Sequence, residues 1–228
     1  MSPVAPPPPA FPEVSQTSLL VPGPVGVLEV AVDLPPAAQA RRGIAVLGHP
    51  NPPDGGTMHN KVVTMAARAL AELGITAVRL NFRGVGKSEG EFDNGRGEVL
   101  DQMAVARWAL AAHPDHALWL GGFSFGSWVA LQAARQLPVA QMISIAPPVG
   151  RRDFTGVFPP TCPWLLIQGE NDEIVNAADV FAWAAKQTPA PSVVRMPDTG
   201  HFFHRRLLDL RGAIKNGVRR NLPPLAPS

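Results

Sequence analysis

The feature that most constrains the fold of this chain is a regular alternation of two sequence textures. Short apolar runs rich in β-branched residues, each bounded by Gly or Pro, predict buried strands at 25–32, 44–48, 75–80, 117–120, 142–145, 164–168 and 193–196. Segments with apolar residues at helical spacing lie between most of them and predict helices at about 57–73, 97–112, 125–137, 177–187 and 204–218. Because such an alternation needs crossover connections, it predicts an α/β fold: a mostly parallel central sheet with helices on both faces.

Both ends of the chain depart from this alternation. The predicted strands at 16–21 and 25–32 are separated by only a Pro-Gly-Pro turn, which favours an N-terminal antiparallel hairpin. Residues 1–12 contain six prolines and predict a flexible Pro-rich leader. With no internal repeat and no linker between, we expect a single α/β domain over 13–220 and a short tail over 221–228.

The composition excludes several classes of protein. Hydrophobic residues make up 46% of the chain and charged residues 17%, which argues against intrinsic disorder. The 20 basic and 18 acidic residues nearly balance, so no nucleic-acid partner is indicated. Cys162 is the only cysteine and cannot form an internal disulfide. No apolar run is long enough to span a bilayer and no secretory signal is evident, so we expect no membrane partner and a cytoplasmic location.

The strongest local signal is the segment Gly122-Phe123-Ser124-Phe125-Gly126, which lies between a predicted strand and a predicted helix. A turn this tight holds its central residue in strained backbone angles and requires small residues two positions to either side. It would present the Ser124 hydroxyl at the carboxyl end of the sheet, beside a helix N-terminus that favours negative charge. The context therefore predicts Ser124 as a catalytic nucleophile.

A serine nucleophile needs a base, and the base needs a carboxylate to orient it. Asp172 lies in the loop after the strand at 164–168, and His201 lies in the loop after the strand at 193–196. Both loops leave the carboxyl ends of strands, where open α/β sheets place their sites. The order Ser, Asp, His thus predicts a triad of Ser124, Asp172 and His201, with Asp153, which also follows a strand end, as the alternative acid.

An oxyanion intermediate needs hydrogen-bond donors, and the sequence offers two backbone N–H groups. One belongs to Phe125, directly after the predicted nucleophile. The other belongs to Asn51, in a loop whose neighbouring prolines have no N–H to donate.

Three further side chains are candidates for substrate binding. Phe202 and Phe203 adjoin the predicted base, and His49 adjoins the predicted oxyanion loop. Each of them could instead have a purely structural role: the phenylalanines could pack in the core, and the histidine could make a structural hydrogen bond.

Two further patterns do not meet the requirements of a phosphate-binding or a metal-binding site. The segment 81–88 ends in Gly-Lys-Ser like a phosphate-binding loop, but Asn81 stands where that loop requires glycine. The histidine pairs at 113 and 116 and at 201 and 204 lack a third ligand. We therefore expect no metal and no organic cofactor.

Five blocks of the sequence, spanning about 15–218, resemble the α/β-hydrolase superfamily and within it a compact group of bacterial serine hydrolases without a lid. These blocks are HPNPPDGGTMHNK (49–61), NFRGVGKSEGEFDNGRGE (81–98), GFSFG (122–126), QGENDEIV (168–175) and GHFFH (200–204). The interval 147–162 is too short for a helical cap. The resemblance implies a carboxylesterase-like serine hydrolase acting on a small-molecule ester.

Two alternatives remain open at this point. A thioesterase would use the same three residues, and a non-catalytic binding protein could retain the same fold. The sequence also leaves open a homodimer through an edge strand, and it does not identify the natural acyl or alcohol group.

Overall fold

The computed structural model describes residues 9–227, and within them eight strands and five α-helices alternate largely as the sequence predicts. The strands are β1 (Gln16–Gly23), β2 (Gly26–Asp33), β3 (Gly43–Gly48), β4 (Thr76–Leu80), β5 (Ala117–Phe123), β6 (Val139–Ile145), β7 (Trp164–Gly169) and β8 (Ser192–Met196). The helices are α1 (Lys61–Ala71), α2 (Arg96–Ala112), α3 (Phe125–Ala133), α4 (Ala177–Ala185) and α5 (Leu207–Val218). Short 3₁₀ turns lie at Ala37–Gln39, Pro52–Asp54, Ala134–Gln136 and Arg219–Asn221.

The strands form one sheet in the order β1-β2-β4-β3-β5-β6-β7-β8. β1 and β2 form an antiparallel hairpin, and β2 pairs antiparallel with β4. All the remaining pairs are parallel. The predicted fold class is therefore confirmed: a mostly parallel sheet, an N-terminal antiparallel hairpin and crossover helices.

Each face of the sheet carries its own apolar core, because successive residues of a buried strand point to opposite sides. In β3, Ile44 and Val46 join a cluster that includes residues of α2, α3 and α4. Ala45 and Leu47 join a second cluster that includes residues of α1 and α5. Helices thus cover both faces, which is why the central strands are near-continuous apolar runs rather than alternating ones.

The first helix begins later than the sequence predicts. The sequence predicts its start at about residue 57, but Thr57 Oγ1 accepts a hydrogen bond from the His59 N–H within a turn. Asn60 caps α1 instead, since its side chain accepts from the Val62 N–H. The intervening turn extends the loop after β3, which is the loop that carries Asn51.

A buried ion pair anchors the long loop between β4 and α2. The Arg83 guanidinium contacts the Asp101 carboxylate of α2 at 2.7 Å, and their side chains are 8% and 0% exposed. Asp101 also accepts the backbone N–H of Arg83. The start of the loop is therefore tied to α2 by charged hydrogen bonds.

No helix or strand is inserted between Ile145 and Trp164, so the carboxyl end of the sheet is left without a lid. The loop makes one isolated bridge, between Val149 and Arg152. Within residues 9–227 no helix is long and apolar enough to cross a membrane.

The boundaries predicted at residues 12 and 220 remain predictions, and the first eight residues of the predicted leader lie outside the described part of the chain. Of the rest of the leader, Phe11 stacks on Trp108 with ring centroids 4.9 Å apart. The Pro9 carbonyl accepts the Trp108 indole N–H at 3.0 Å. In the predicted tail, the Ala226 N–H donates to the Ala40 carbonyl.

Candidate active site

Ser124 sits on a sharp turn between β5 and α3. Its backbone lies at φ 52° and ψ −119°, a positive φ that a non-glycine residue adopts only under constraint. A Cβ on Gly122 would lie 2.4 Å from the Gly126 carbonyl carbon, and a Cβ on Gly126 would lie 2.3 Å from the Gly48 carbonyl carbon. Only glycine fits at both positions, so this spacing holds Ser124 at the carboxyl end of the sheet.

The turn brings Ser124 into a chain of hydrogen bonds with the two other predicted residues. Ser124 Oγ lies 3.1 Å from His201 Nε2. His201 Nδ1 lies 2.8 Å from Asp172 Oδ2. Since Asp172 accepts at Nδ1–H, Nε2 is left as the acceptor for the serine hydroxyl. Ser124 and Asp172 are 48 positions apart in the sequence, and Asp172 and His201 are 29 positions apart, yet the three meet at one edge of the sheet.

The environment of Asp172 keeps its carboxyl ionised. Besides His201, it accepts hydrogen bonds from the N–H groups of Ile174 and Val175 and from the side-chain amide of Gln168. The carboxyl is fully buried. Burial by itself raises the pKa of Asp172, but the hydrogen bonds and the nearby imidazole outweigh it, so that the pKa lies below its ordinary value.

His201 is held from its backbone as well as from its ring. Its N–H donates to Glu173 Oε2 at 3.0 Å. A Cβ on the preceding residue, Gly200, would lie 2.5 Å from that same oxygen, so glycine makes room for the contact. His201 is 2% exposed, and its imidazole packs against the ring of Phe123 at 5.0 Å between centroids. Backbone and ring contacts together fix the position of Nε2 relative to Ser124.

The alternative acid, Asp153, is in a different place. Its carboxylate accepts hydrogen bonds from the N–H and hydroxyl of Thr155 and makes no contact with His201. Its carbonyl accepts the indole N–H of Trp128. The structure therefore excludes Asp153 as the partner of the histidine, because it lies at an exposed position of the loop between β6 and β7 and contacts Trp128 of α3 instead.

A cleft of about 170 Å³ opens next to the serine hydroxyl. Its lining residues are Asn51, Asp54, Ser124, Phe125, Pro148, Arg151, Arg152, Ile174 and Val175. Both predicted oxyanion residues are among them. Within residues 9–227, neither the Asn51 N–H nor the Phe125 N–H donates to a protein acceptor. Two backbone N–H groups without a protein acceptor therefore belong to residues that line the cleft.

Arg152 was not predicted from sequence, yet it contacts both residues that carry these donors. Its Nη2 donates to Asn51 Oδ1 at 2.8 Å, and its guanidinium lies 4.9 Å from the centroid of the Phe125 ring. The other half of the Asn51 amide donates to Asp54 Oδ2 at 2.8 Å. The Asn51 side chain is thus held on both sides, which orients the loop that carries its N–H.

Two of the predicted substrate-binding residues are corrected by the structure. His49 is fully buried: its Nδ1–H donates to the Pro50 carbonyl at 2.6 Å, and its Nε2 accepts the Phe82 N–H at 3.2 Å. Phe203 is also fully buried, in the core beside α5. Neither side chain can reach a substrate. Phe202 is 38% exposed and packs edge-on against His201, outside the cleft, and its role in binding stays a prediction.

Like Arg152, Gln168 and Glu173 contact the triad residues or their neighbours but were not predicted from the sequence. For Gln168 the sequence held a signal, since it is the polar residue within the otherwise apolar strand β7; the structure shows it fully buried. No such signal marked Arg152 or Glu173, because their contacts join segments far apart in sequence. Among residues 9–227, no cluster of three or more His, Cys, Asp or Glu side chains could hold a metal ion.

Comparison with known proteins gives a family match and several concordant similarities. The model of a family described as alpha/beta hydrolase fold matches residues 55–161. The chain is 40% identical over 183 residues to an uncharacterised protein of Rickettsia prowazekii (strain Madrid E). The aligned region covers 76% of this chain and 77% of that protein.

Two solved structures are similar over almost their whole length. One, from Xanthomonas campestris, is a member of the α/β serine hydrolases without a lid; it has a TM-score of 0.91 and 55% identity, over 96% of this chain and 100% of that one. The other, an α/β serine hydrolase homologue from Coxiella burnetii, has a TM-score of 0.87 and 42% identity. The match covers 92% of this chain and 100% of that one.

Proposed function

Since this chain belongs to the α/β-hydrolase superfamily, and within it to the serine hydrolases that lack a lid, we propose that it cleaves carboxylic esters through an acyl-enzyme formed on Ser124. The substrate is a small-molecule ester bound in the cleft beside the serine hydroxyl. His201 acts as the general base and acid, and Asp172 orients it. No metal ion or organic cofactor takes part in these steps.

The first half of the reaction transfers the acyl group to the enzyme. Ser124 Oγ attacks the ester carbonyl carbon while its proton moves to His201 Nε2, 3.1 Å away. Asp172 accepts at Nδ1–H and stabilises the imidazolium that results. The tetrahedral intermediate then collapses, the bond to the alcohol oxygen breaks, and His201 returns the proton to the departing alcohol.

The second half regenerates the enzyme. Water attacks the acyl carbon, His201 Nε2 takes its proton, and the collapse of the second intermediate releases the acid and restores the serine hydroxyl. In both halves the N–H groups of Phe125 and Asn51 would donate to the oxyanion. Each such donor is worth about 3 kcal/mol of transition-state stabilisation in comparable sites.

One observation carries this proposal: the unbroken hydrogen-bonded chain from Ser124 through His201 to a buried, ionised Asp172. A serine, a histidine and a buried carboxylate in this order have the geometry of an activated nucleophile. The strained backbone of Ser124 adds support, since strain concentrates at functional sites. A protein that kept the fold only to bind a ligand would need none of these features.

The test is covalent labelling with a fluorophosphonate probe. We expect the wild-type protein to be labelled, and the variants Ser124→Ala and His201→Ala not to be. Matched p-nitrophenyl esters and the corresponding thioesters of increasing chain length, assayed on the same samples, rank ester against thioester hydrolysis. Absence of labelling in a wild-type protein with a cooperative unfolding transition would contradict the proposal and favour the binding-protein alternative.

A further inference from the structure

Two consecutive arginines line the cleft beside the proposed nucleophile. Arg151 and Arg152 belong to the loop that follows β6, and both contribute to the same wall as Pro148. Their backbone N–H groups both donate to the Pro148 carbonyl at 3.0 Å, which folds the loop into a turn and brings the two side chains to the cleft. The mechanism proposed above uses neither guanidinium.

Neither guanidinium is neutralised by a carboxylate. Across residues 9–227, no ion pair within 4.0 Å involves Arg151 or Arg152. Asp54 is the only acidic residue of the cleft lining, and it accepts from the Asn51 amide at 2.8 Å. Asp172 is fully buried behind His201 and does not reach the cleft surface. The cleft wall therefore has an excess of one positive charge.

Arg152 is held in place rather than free to fold back into solvent. It is half-buried, with its guanidinium 4.9 Å from the Phe125 ring centroid, 5.7 Å from that of Trp128 and 6.0 Å from that of Phe92. One of its N–H groups is used by Asn51. A guanidinium has five N–H donors in a fixed plane, so several remain for an anionic ligand.

We propose that Arg151 and Arg152 make this a site for esters that carry a negatively charged group, a carboxylate in the simplest case, close to the scissile bond. The inference rests on the proposed function and names the substrate class of the same cleft. Arg152 provides a fixed, partly desolvated donor for the anion, and Arg151 adds a second, exposed charge. A short substrate suffices, because the charge and the serine hydroxyl belong to one cleft of about 170 Å³.

The experiment compares kcat/KM for neutral and anionic members of matched ester pairs. For a charge on the acyl side the pair is p-nitrophenyl hydrogen adipate and its methyl ester. For a charge on the alcohol side the pair is 4-acetoxybenzoate and its methyl ester. Spontaneous hydrolysis is subtracted for each compound. We expect the wild-type protein to prefer the anionic member of at least one pair, and the pair identifies the side of the cleft that holds the anion.

Substitutions separate a charge effect from a structural one, because the readout is the ratio of anionic to neutral kcat/KM. Arg151→Gln, whose side chain makes no hydrogen bond within residues 9–227, should lower that ratio about threefold, as expected for an exposed charge pair. Arg152→Gln should lower it about tenfold, as expected for a hydrogen bond to a charged group. Arg152→Lys should keep part of the preference. Arg220→Gln, at an exposed position after α5, is the control and should leave the ratio unchanged.

Ionic strength gives an independent readout. The preference should weaken as salt rises from about 0.02 to 0.5 M, because the Debye length shortens from roughly 20 Å to about 4 Å. A wild-type protein that hydrolyses neutral esters through Ser124, with a ratio that neither arginine substitution alters, would overturn this inference and leave the proposed function standing. Failure to hydrolyse any of the four esters in a Ser124-dependent manner would overturn both.

Discussion

At the scale of single residues, the hydrogen bonds of Asp172 set the tautomer of the neighbouring histidine. Asp172 accepts four hydrogen bonds through its two oxygens, two of them from backbone N–H groups. That arrangement leaves His201 with a proton on Nδ1 and a lone pair on Nε2 facing Ser124. One carboxylate therefore decides which ring nitrogen of the histidine can act as a base.

Replacing the Asp172 carboxylate by an amide tests this point. In Asp172→Asn the amide N–H₂ would face His201 Nδ1 and favour the opposite tautomer, with the proton on Nε2. We expect kcat for ester hydrolysis to fall about 10⁴-fold with the fold retained. The measurement is steady-state hydrolysis of a p-nitrophenyl ester across pH 6–9.

Asp153→Asn provides the matched control, since Asp153 is the alternative acid named from the sequence and its carboxylate accepts from Thr155 rather than from His201. Its kcat should equal that of the wild-type protein. Equal losses in the two variants would contradict the assignment of Asp172.

At the scale of elements, the site depends on how closely two strands and a helix approach one another. β3 and β5 are neighbours in the sheet, and the first turn of α3 lies directly over both of them. Gly48, Gly122 and Gly126 form the contact, with no side chain between the three backbones. The approach places the N-terminus of α3 at the serine, where the Phe125 N–H, which has no acceptor within residues 9–227, can meet an anion.

A methyl group at the centre of this contact should separate the elements. A Cβ in Gly126→Ala would lie 2.3 Å from the Gly48 carbonyl carbon and 2.7 Å from the His49 carbonyl oxygen. Both atoms are backbone and cannot move aside cheaply, so we expect a loss of about 3 kcal/mol or more in the free energy of unfolding. Urea titration followed by circular dichroism measures it.

Gly212→Ala makes the same chemical change in the middle of α5, where nothing lies within 4 Å of the added Cβ. Helix propensity alone should then stabilise the protein by about 1 kcal/mol. If both variants shifted the unfolding midpoint in the same direction, close packing would not be the reason for glycine at position 126.

At the scale of the whole molecule, two apolar cores enclose a sheet whose carboxyl edge is open to solvent. Below that edge lie buried polar groups, which must find their hydrogen-bond partners within the protein. His49 is the clearest example, because burial lowers its pKa to about 4 while its hydrogen bond to the Pro50 carbonyl opposes the shift only in part. The folded protein therefore keeps this imidazole neutral.

The buried imidazole should make stability depend on pH in a defined window. In the unfolded chain His49 takes up a proton near its ordinary pKa of 6.5, whereas in the folded protein it does so only near 4. The unfolded state thus binds more protons between these values, so stability falls as the pH drops from 6.5 to 4, by about 3 kcal/mol in total. Between pH 7.5 and 5 the loss is about 2 kcal/mol.

The variant His49→Gln, which offers one donor and one acceptor in place of the imidazole, should lack this part of the pH dependence. Urea unfolding at pH 7.5 and pH 5 measures the difference for each protein. His59→Gln, at an exposed position in the same loop, should behave like the wild-type protein. A wild-type curve no steeper than that of His49→Gln would contradict the assignment.

Sequence by itself determined the elements and the identity of the three residues in the hydrogen-bonded chain. Strand and helix periodicities are local properties, and so is the strand–turn–helix context of Ser124. Asp172 and His201 could be chosen because parallel strands all present their carboxyl ends at one edge, so a position in the right loop is already a position near the site. One local prediction was wrong: the first helix was predicted to start at about residue 57, but Asn60, three residues later, caps it.

Only the tertiary structure decided which neighbouring side chains act on the site and which serve the core. The sequence predicted the same role, substrate binding, for His49, Phe202 and Phe203. In the structure His49 and Phe203 are fully buried and Phe202 is partly exposed. Arg152 and Glu173 touch residues that lie 101 and 28 positions away, and no periodicity encodes such a contact. The physical reason is that burial and hydrogen bonding at a loop depend on how separate segments pack, whereas strand and helix patterns depend on the solvent preference of each face.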